Sequence, residues 1–283
     1  MLGDWADEDL LKSTAEVTAP PPRRRAAVWI TTAVLVAAAA AAWYAGFGNW
    51  TTGDSQTTAG AKTPVAGAAD YALGSDPFSV TVPPLDESDS VVAGLVAKLS
   101  SHPRVAAWLA TRGLIRNFTV VVTNIADGEA PAMLVPALRP ASSFTVVQRG
   151  AATYVDPQSY ERYTPVADAV ASIDPAGSAR LYATLKPRLE EAYRDLGIAE
   201  PLFDRTLERA IVLLLKTPVL DQPVAVKPKG LGYGFADERL ERLAPAQKQL
   251  LRMGPQNART IQRRLREIGL ALGIPPDRLP VVN

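Results

Sequence analysis

His102 is the single histidine of the 283-residue chain, and imidazole is the side chain that ordinarily titrates near neutral pH, so a general base is sought there first. It stands between Ser101 and Pro103 at a helix junction, where an imidazole more often caps or packs than reacts. No GxSxG elbow accompanies it, so serine hydrolase chemistry has little support. Paired carboxylates can run glycoside hydrolysis of wall sugars, and Glu190, Glu191 and Asp195 are close in sequence, with Glu191 and Asp195 four apart on one helix face. Arg188 and Arg194 are interleaved with them, which is the composition of a solvated helix. Asp86, Glu87 and Asp89 suit a helix start, where their charge complements the dipole, better than a calcium loop. No catalytic residue is assigned on this basis, and an enzyme is the less favoured reading.

The chain has no cysteine. Zinc sites of the Cys and His type, redox pairs, thiol nucleophiles and disulfide frameworks therefore have no ligands, and neither a metal nor another cofactor is expected. Thirty basic residues against 29 acidic ones leave a net charge of +1, without the excess that nucleic-acid binding usually brings. The charge is unevenly spread. From Lys227 onward eleven Lys and Arg face five acids, whereas residues 49–100 hold six acids and two lysines. On the last helix Arg259, Arg263 and Arg266 form one stripe and Ile261, Leu265, Ile268 and Leu272 another. With Arg252 the arginines form a candidate binding face for phosphate or carboxylate groups on lipids, cell-wall polymers or an envelope protein. A plain solvated face is the competing reading.

Any such face depends on where the chain places it. Residues 26–47 are 22 in a row without a charge, enough for a helix of roughly 33 Å that crosses a bilayer core. Ten of them are alanine, so insertion rests on the larger apolar side chains. Trp29 at one end and Trp43 and Tyr44 at the other fall where amphipathic rings favour headgroups. Arg23, Arg24 and Arg25 put the preceding end in the cytoplasm by the positive-inside rule. A cleaved signal peptide is the alternative, disfavoured by the long leader and long apolar run. The expected layout is a disordered cytoplasmic tail over residues 1–25, a transmembrane helix over 26–48, a flexible linker over 49–81 spanning roughly 30 Å, and a periplasmic globular domain over 82–283 of a bacterial inner-membrane protein.

That domain reads as mainly α, with one or two short β-hairpins. Asp86-Glu87-Ser88-Asp89 supplies capping groups for a helix carrying Val92, Leu95 and Leu99. Pro103 opens a second helix, which Gly113 interrupts. Residues Phe144–Gln148 and Ala151–Val155 flank Arg149-Gly150 as one hairpin, and a second lies around Lys227-Pro-Lys-Gly230. Asp156-Pro157 and Asp174-Pro175 each start a helix, with kinks expected at Pro165 and Pro187. A further helix from about Pro201 to Lys216 is too short to span a membrane and is expected at the domain centre. Pro245 and Pro255 open the last two helices, separated by Gly254.

The run from Leu243 to Arg259, LAPAQKQLLRMGPQNAR, resembles the C-terminal signature of the bacterial domain-of-unknown-function family 3014. Pro84–Asp89, Ser101–Ala110, Asn124–Gly128, Leu138–Pro140 and Ala192–Gly197 match its pattern in order. The resemblance implies an inner-membrane protein with one N-terminal span, and it carries no established activity and no catalytic residues.

Overall fold

Prolines in first turns and glycines in the left-handed region set many of the element boundaries. The computed structural model describes residues 71–130, 140, 142–198, 202–230 and 232–281. Their helices are α1 (Asp89–Val96), α2 (Pro103–Leu109), α3 (Leu114–Ala126), α4 (Gln158–Glu161), α5 (Thr164–Ala171), α6 (Pro175–Asp195), α7 (Phe203–Leu215), α8 (Glu238–Glu241), α9 (Pro245–Leu251) and α10 (Pro255–Ala271). Short 3-10 turns at Leu85–Glu87 and Pro276–Arg278 flank the set. The fold is mainly helical, with one small antiparallel sheet.

Four helices begin with proline as their first residue, α2, α6, α9 and α10, where its missing N–H costs nothing. Gly113, at φ 67°, stands just before α3. Pro165 sits in the first turn of α5. The expected kinked helix after Pro157 is therefore two short ones, α4 and α5, because proline at a first turn starts a helix instead of bending one. Pro187 does lie inside α6.

The two hairpins form one sheet. Strands β1 (Val146–Arg149), β2 (Ala152–Val155), β3 (Ala225–Lys229) and β4 (Gly232–Phe235) run antiparallel in that order. The join is β2 to β3, with Thr153 opposite Val226 and Tyr154 opposite Ala225. This register puts Val146, Val155, Val226 and Phe235 on one face, which packs with Leu251 of α9 in a buried cluster.

Helix α7 is the centre of the main core. Its Phe203 is 0% exposed, and the rings of Phe118, Tyr182 and Tyr193 surround it at 6.2, 6.4 and 5.3 Å. Burying a phenylalanine of this kind is worth about 1.5–3 kcal/mol. Helices α3, α6 and α10 supply the rest of the wall around α7.

Residues 71–81, which their composition assigns to the linker, pack on the folded body. Leu73 is 2% exposed, the Gly74 N–H donates to the Leu272 carbonyl at 2.9 Å, and the Phe78 N–H donates to Thr184 Oγ1 at 2.8 Å. The Arg180 guanidinium lies 4.4 Å from the Phe78 ring centroid. This segment is a strap across α6 and the C-terminal end of the chain. A few large side chains among small ones are enough to dock it, and average composition hides them. Among the described residues no single helix is long and apolar enough to cross a membrane. The 26–48 span, with Trp29, Trp43, Tyr44 and Arg23–Arg25, lies outside the described residues.

Candidate functional site

The groups singled out for acid-base chemistry are engaged in holding the fold. His102 is the N-cap of α2, its Nδ1 accepting from the Arg104 N–H at 3.2 Å. Glu191 pairs with Arg188 at 2.6 Å. Asp195 lies 3.7 Å from Arg116, which also holds Asp86 at 2.6 Å. Glu190 accepts the Phe203 N–H at 3.1 Å, so α6 caps the first turn of α7. Burial, opposed by that bond, leaves the Glu190 carboxyl above its ordinary pKa. Each carboxylate of the trio thus has its own separate partner.

Asp89 departs most from the sequence expectation. Instead of capping its own helix it reaches α3, accepting the Gly113 N–H at 2.7 Å and the Leu114 N–H at 2.8 Å. Ser88, the N-cap of α1, makes no side-chain cap bond; its hydroxyl donates back to the Leu85 carbonyl at 2.9 Å. Among the described residues no three His, Asp or Glu side chains are grouped to hold a metal ion.

The four arginines of the basic face have different fates. Arg252 stacks on Phe235, 5.1 Å from the ring centroid. Arg259 grips Asp221 in a two-pronged pair at 2.9 and 2.5 Å, and the Asp221 carboxyl is held below its ordinary pKa by that bond. Arg263 is exposed and Arg266 half-buried, on the side of α10 away from buried Ile261. The stripe exists on the helix, but its first residue is neutralised by Asp221 and Arg252 belongs to the sheet.

Sequence reading misses the most concentrated ionic cluster. Asp204 and Glu208, one turn apart on α7, are each 4% exposed. Asp204 accepts from Tyr182 Oη at 2.6 Å, Lys186 Nζ at 2.6 Å and the Leu73 N–H at 3.0 Å. Burial first, and then that bond, hold the Tyr182 hydroxyl protonated well above the ordinary phenol range. Glu208 is bridged by Arg278 at 2.6 Å and Arg205 at 3.2 Å. Tyr71 lies under both guanidinium groups, 4.5 Å from Arg205 and 5.6 Å from Arg278. Its hydroxyl is buried and finds no hydrogen-bond partner among the described residues. Both buried carboxylates have their charge balanced, and both serve the strap: one binds its backbone and the other holds the cations that cover its tyrosine. The available signal was two acids at i and i+4, Asp204 and Glu208, on the helix that ends in the apolar run Ala210–Leu215.

Compared with known proteins, residues 114–269 match the family model described as Protein of unknown function (DUF3014). The chain belongs to this family. No curated protein and no solved structure matches it. In this DUF3014 chain the Leu243–Arg259 run is a corner that locks three elements together. Gln247 donates to the Leu213 carbonyl at 3.2 Å, and Asn257 donates to the Tyr160 and Met253 carbonyls at 2.8 and 2.9 Å. Gly254 takes φ +84°, and a Cβ there would lie 2.4 Å from Tyr160 Cγ, so the corner closes only around a glycine. Just beyond it Gln262 donates to the carbonyls of Leu214, Leu215 and Thr217 at 3.0, 3.3 and 2.8 Å. These bonds give the signature a structural role.

Proposed function

We propose that the protein is a membrane-anchored cell-envelope module that binds a partner without catalysing a reaction. Its layout is a cytoplasmic tail, one span over residues 26–48, a linker, and a helical domain exported to the periplasm. The observation that carries this reading is the uncharged run of residues 26–47, bounded by Arg23, Arg24 and Arg25 on one side only. The binding half is supported by the ionisable groups. His102, Glu190, Glu191 and Asp195 are engaged in caps and ion pairs, while Arg263 and Arg266 have no ion pair among the described residues. An anionic group on an envelope protein or cell-wall polymer is the chemistry those two arginines would recognise.

A C-terminal reporter that is active in one compartment only tests the layout. Periplasmic activity in membranes that survive an alkaline wash is expected; a soluble product beginning beyond Trp50 rejects the anchor. The binding face is tested by Arg263→Glu with Arg266→Glu in the full chain. Loss of co-purifying envelope partners from membranes is expected, and an unchanged set rejects this face.

A further inference from the structure

The sheet has two edge strands, β1 and β4, and they are finished differently. Along an antiparallel strand, residues whose N–H and C=O point to the neighbouring strand alternate with residues whose groups point away. In β4 the Ala236 N–H donates to the Ala225 carbonyl at 2.9 Å, so the backbone groups of Tyr233 and Phe235 point outward. The outward Phe235 N–H is taken by the Glu241 carboxylate at 3.0 Å, on helix α8, which packs against β4. That edge is blocked.

In β1 the Asp156 N–H donates to the Thr145 carbonyl at 3.2 Å. This turns the backbone groups of Thr145, Val147 and Arg149 toward β2 and leaves those of Val146 and Gln148 pointing away from the sheet. Among the described residues nothing bonds them on that side. The strand reads Thr-Val-Val-Gln-Arg, with no proline and its one charge at the end, so apart from its shortness it lacks the devices that keep an edge from pairing.

The side chains of β1 alternate as well. Val146 packs with the buried sheet cluster, which puts Thr145, Val147 and Arg149 on the outer face. Arg149 lies there over the ring of Tyr154, 6.0 Å from its centroid, and Asp156 stands across from Thr145 on the same face. Arg149, at the hairpin turn, and Asp156, at its mouth, have no ion pair among the described residues. Arg162 is on the other side of the strand, 5.5 Å from the Phe144 ring centroid, and takes no part.

This edge is complementary to itself. Two β1 strands laid antiparallel about a two-fold axis at Val147 set Val146 of each chain opposite Gln148 of the other, and the outward N–H and C=O groups of both residues are then satisfied. The same register sets Arg149 opposite Thr145 of the second copy. Two strand spacings, about 10 Å, then separate Arg149 from Asp156 of that copy, within the joint reach of the two side chains, and the ion pair forms twice. A slip that sets Val146 opposite its own copy keeps backbone bonds but carries Arg149 past Asp156, so charge selects the first register.

We propose that β1 is the pairing edge for a second copy of this chain, joining two four-stranded sheets into one continuous sheet. The pairing uses the folded body alone and does not depend on the membrane span.

The absence of cysteine makes the register directly testable. Val147 and its copy form a non-hydrogen-bonded pair with Cα atoms about 4.5 Å apart, inside the range of about 4.4–6.8 Å that a disulfide accepts. The full chain carrying Val147→Cys is oxidised mildly in detergent. Disulfide-linked dimer is expected at least about tenfold faster than with Thr145→Cys, whose copies lie about 13 Å or more apart on the same face. Gln256→Cys, exposed on α10, is a second slow control. Gln148→Pro removes an outward N–H without touching the ladder to β2. It is expected to abolish the link at 147 while the thermal midpoint of the helical signal stays in place. Arg149→Glu should slow the link about tenfold, and Asp156→Arg added to it should restore the rate. Linking at 147 no faster than at 145 or 256 overturns the pairing. So does a rate indifferent to both Gln148→Pro and Arg149→Glu. A link at 147 in native membranes that joins a different protein and never a second copy gives the edge to another partner and also overturns it.

Discussion

Glu241 fastens one end of the sheet to the helix that follows. Its carboxylate takes Lys229 Nζ at 2.5 Å and the Phe235 N–H at 3.0 Å, with Lys248 Nζ 3.7 Å away. The Lys229 bond, followed by the backbone bond, pulls its pKa down to about 2 from an ordinary 4.5. A depressed carboxylate stabilises the fold above its unfolded pKa, and that contribution drains away as pH falls through the folded value. Glu241→Gln is therefore expected to cost about 1 kcal/mol at pH 7, a partly exposed pair being worth less than a buried one. The gap between wild type and variant should close between pH 4.5 and 2. Urea denaturation across that range measures it, and a gap independent of pH removes Glu241 from the acid response. The sequence offered no route to this residue, because its partners Lys229 and Phe235 depend on how a hairpin docks.

At the scale of elements, the sequence displays what is local and conceals what is borrowed. Helices opened by Pro103, Pro175, Pro245 and Pro255 were legible because proline acts on its own neighbours. Both hairpins were legible from alternating apolar runs around Gly150 and Gly230. Their union into one sheet was not, since β2 meets β3 across about 70 residues and pairing at that range leaves no local mark. Caps follow the same division. His102 and Asp174 cap their own helices, whereas Asp89 caps α3, Glu190 caps α7 from α6, and Gln247 and Gln262 close the far end of α7. The arginine stripe was visible as helix periodicity, while Asp221, which occupies Arg259, lies 38 residues away in a loop. The strap is the clearest concealed element, and it depends on Asp204. Asp204→Ala strands the Tyr182 hydroxyl, the Lys186 ammonium and the Leu73 N–H together. A loss of about 3 kcal/mol is expected, with chymotryptic cleavage at Tyr71 or Phe78 accelerating before the rest of the domain opens. Cleavage at those sites no faster than in wild type shows that the strap is held by something other than this carboxylate.

At the scale of the folded body, three apolar clusters are joined instead of stacked side by side. Leu265 of α10 packs against both the cluster around Phe203 and the cluster around Tyr163 and Met253. Asn257, on the same helix, bonds the carbonyl of Tyr160, whose ring lies against the sheet cluster of Val155, Val226 and Phe235. Opening the sheet would uncover Leu251 and the ring of Tyr160, so the sheet has no inexpensive way to melt alone. Unfolding is expected as one transition, with the far-UV helical signal and exchange of the Val155 amide, bonded to the Val224 carbonyl at 2.9 Å, reporting the same stability. Val226→Ala, which empties space only in the sheet cluster, should cost about 2 kcal/mol. It should lower the midpoint of the helical signal by about 4–8 °C, as a domain of this size requires. If the variant instead frees the Val155 amide while the helices melt as before, the sheet is an independent unit. The corner from Leu243 to Arg259 then fails to couple it to the helices.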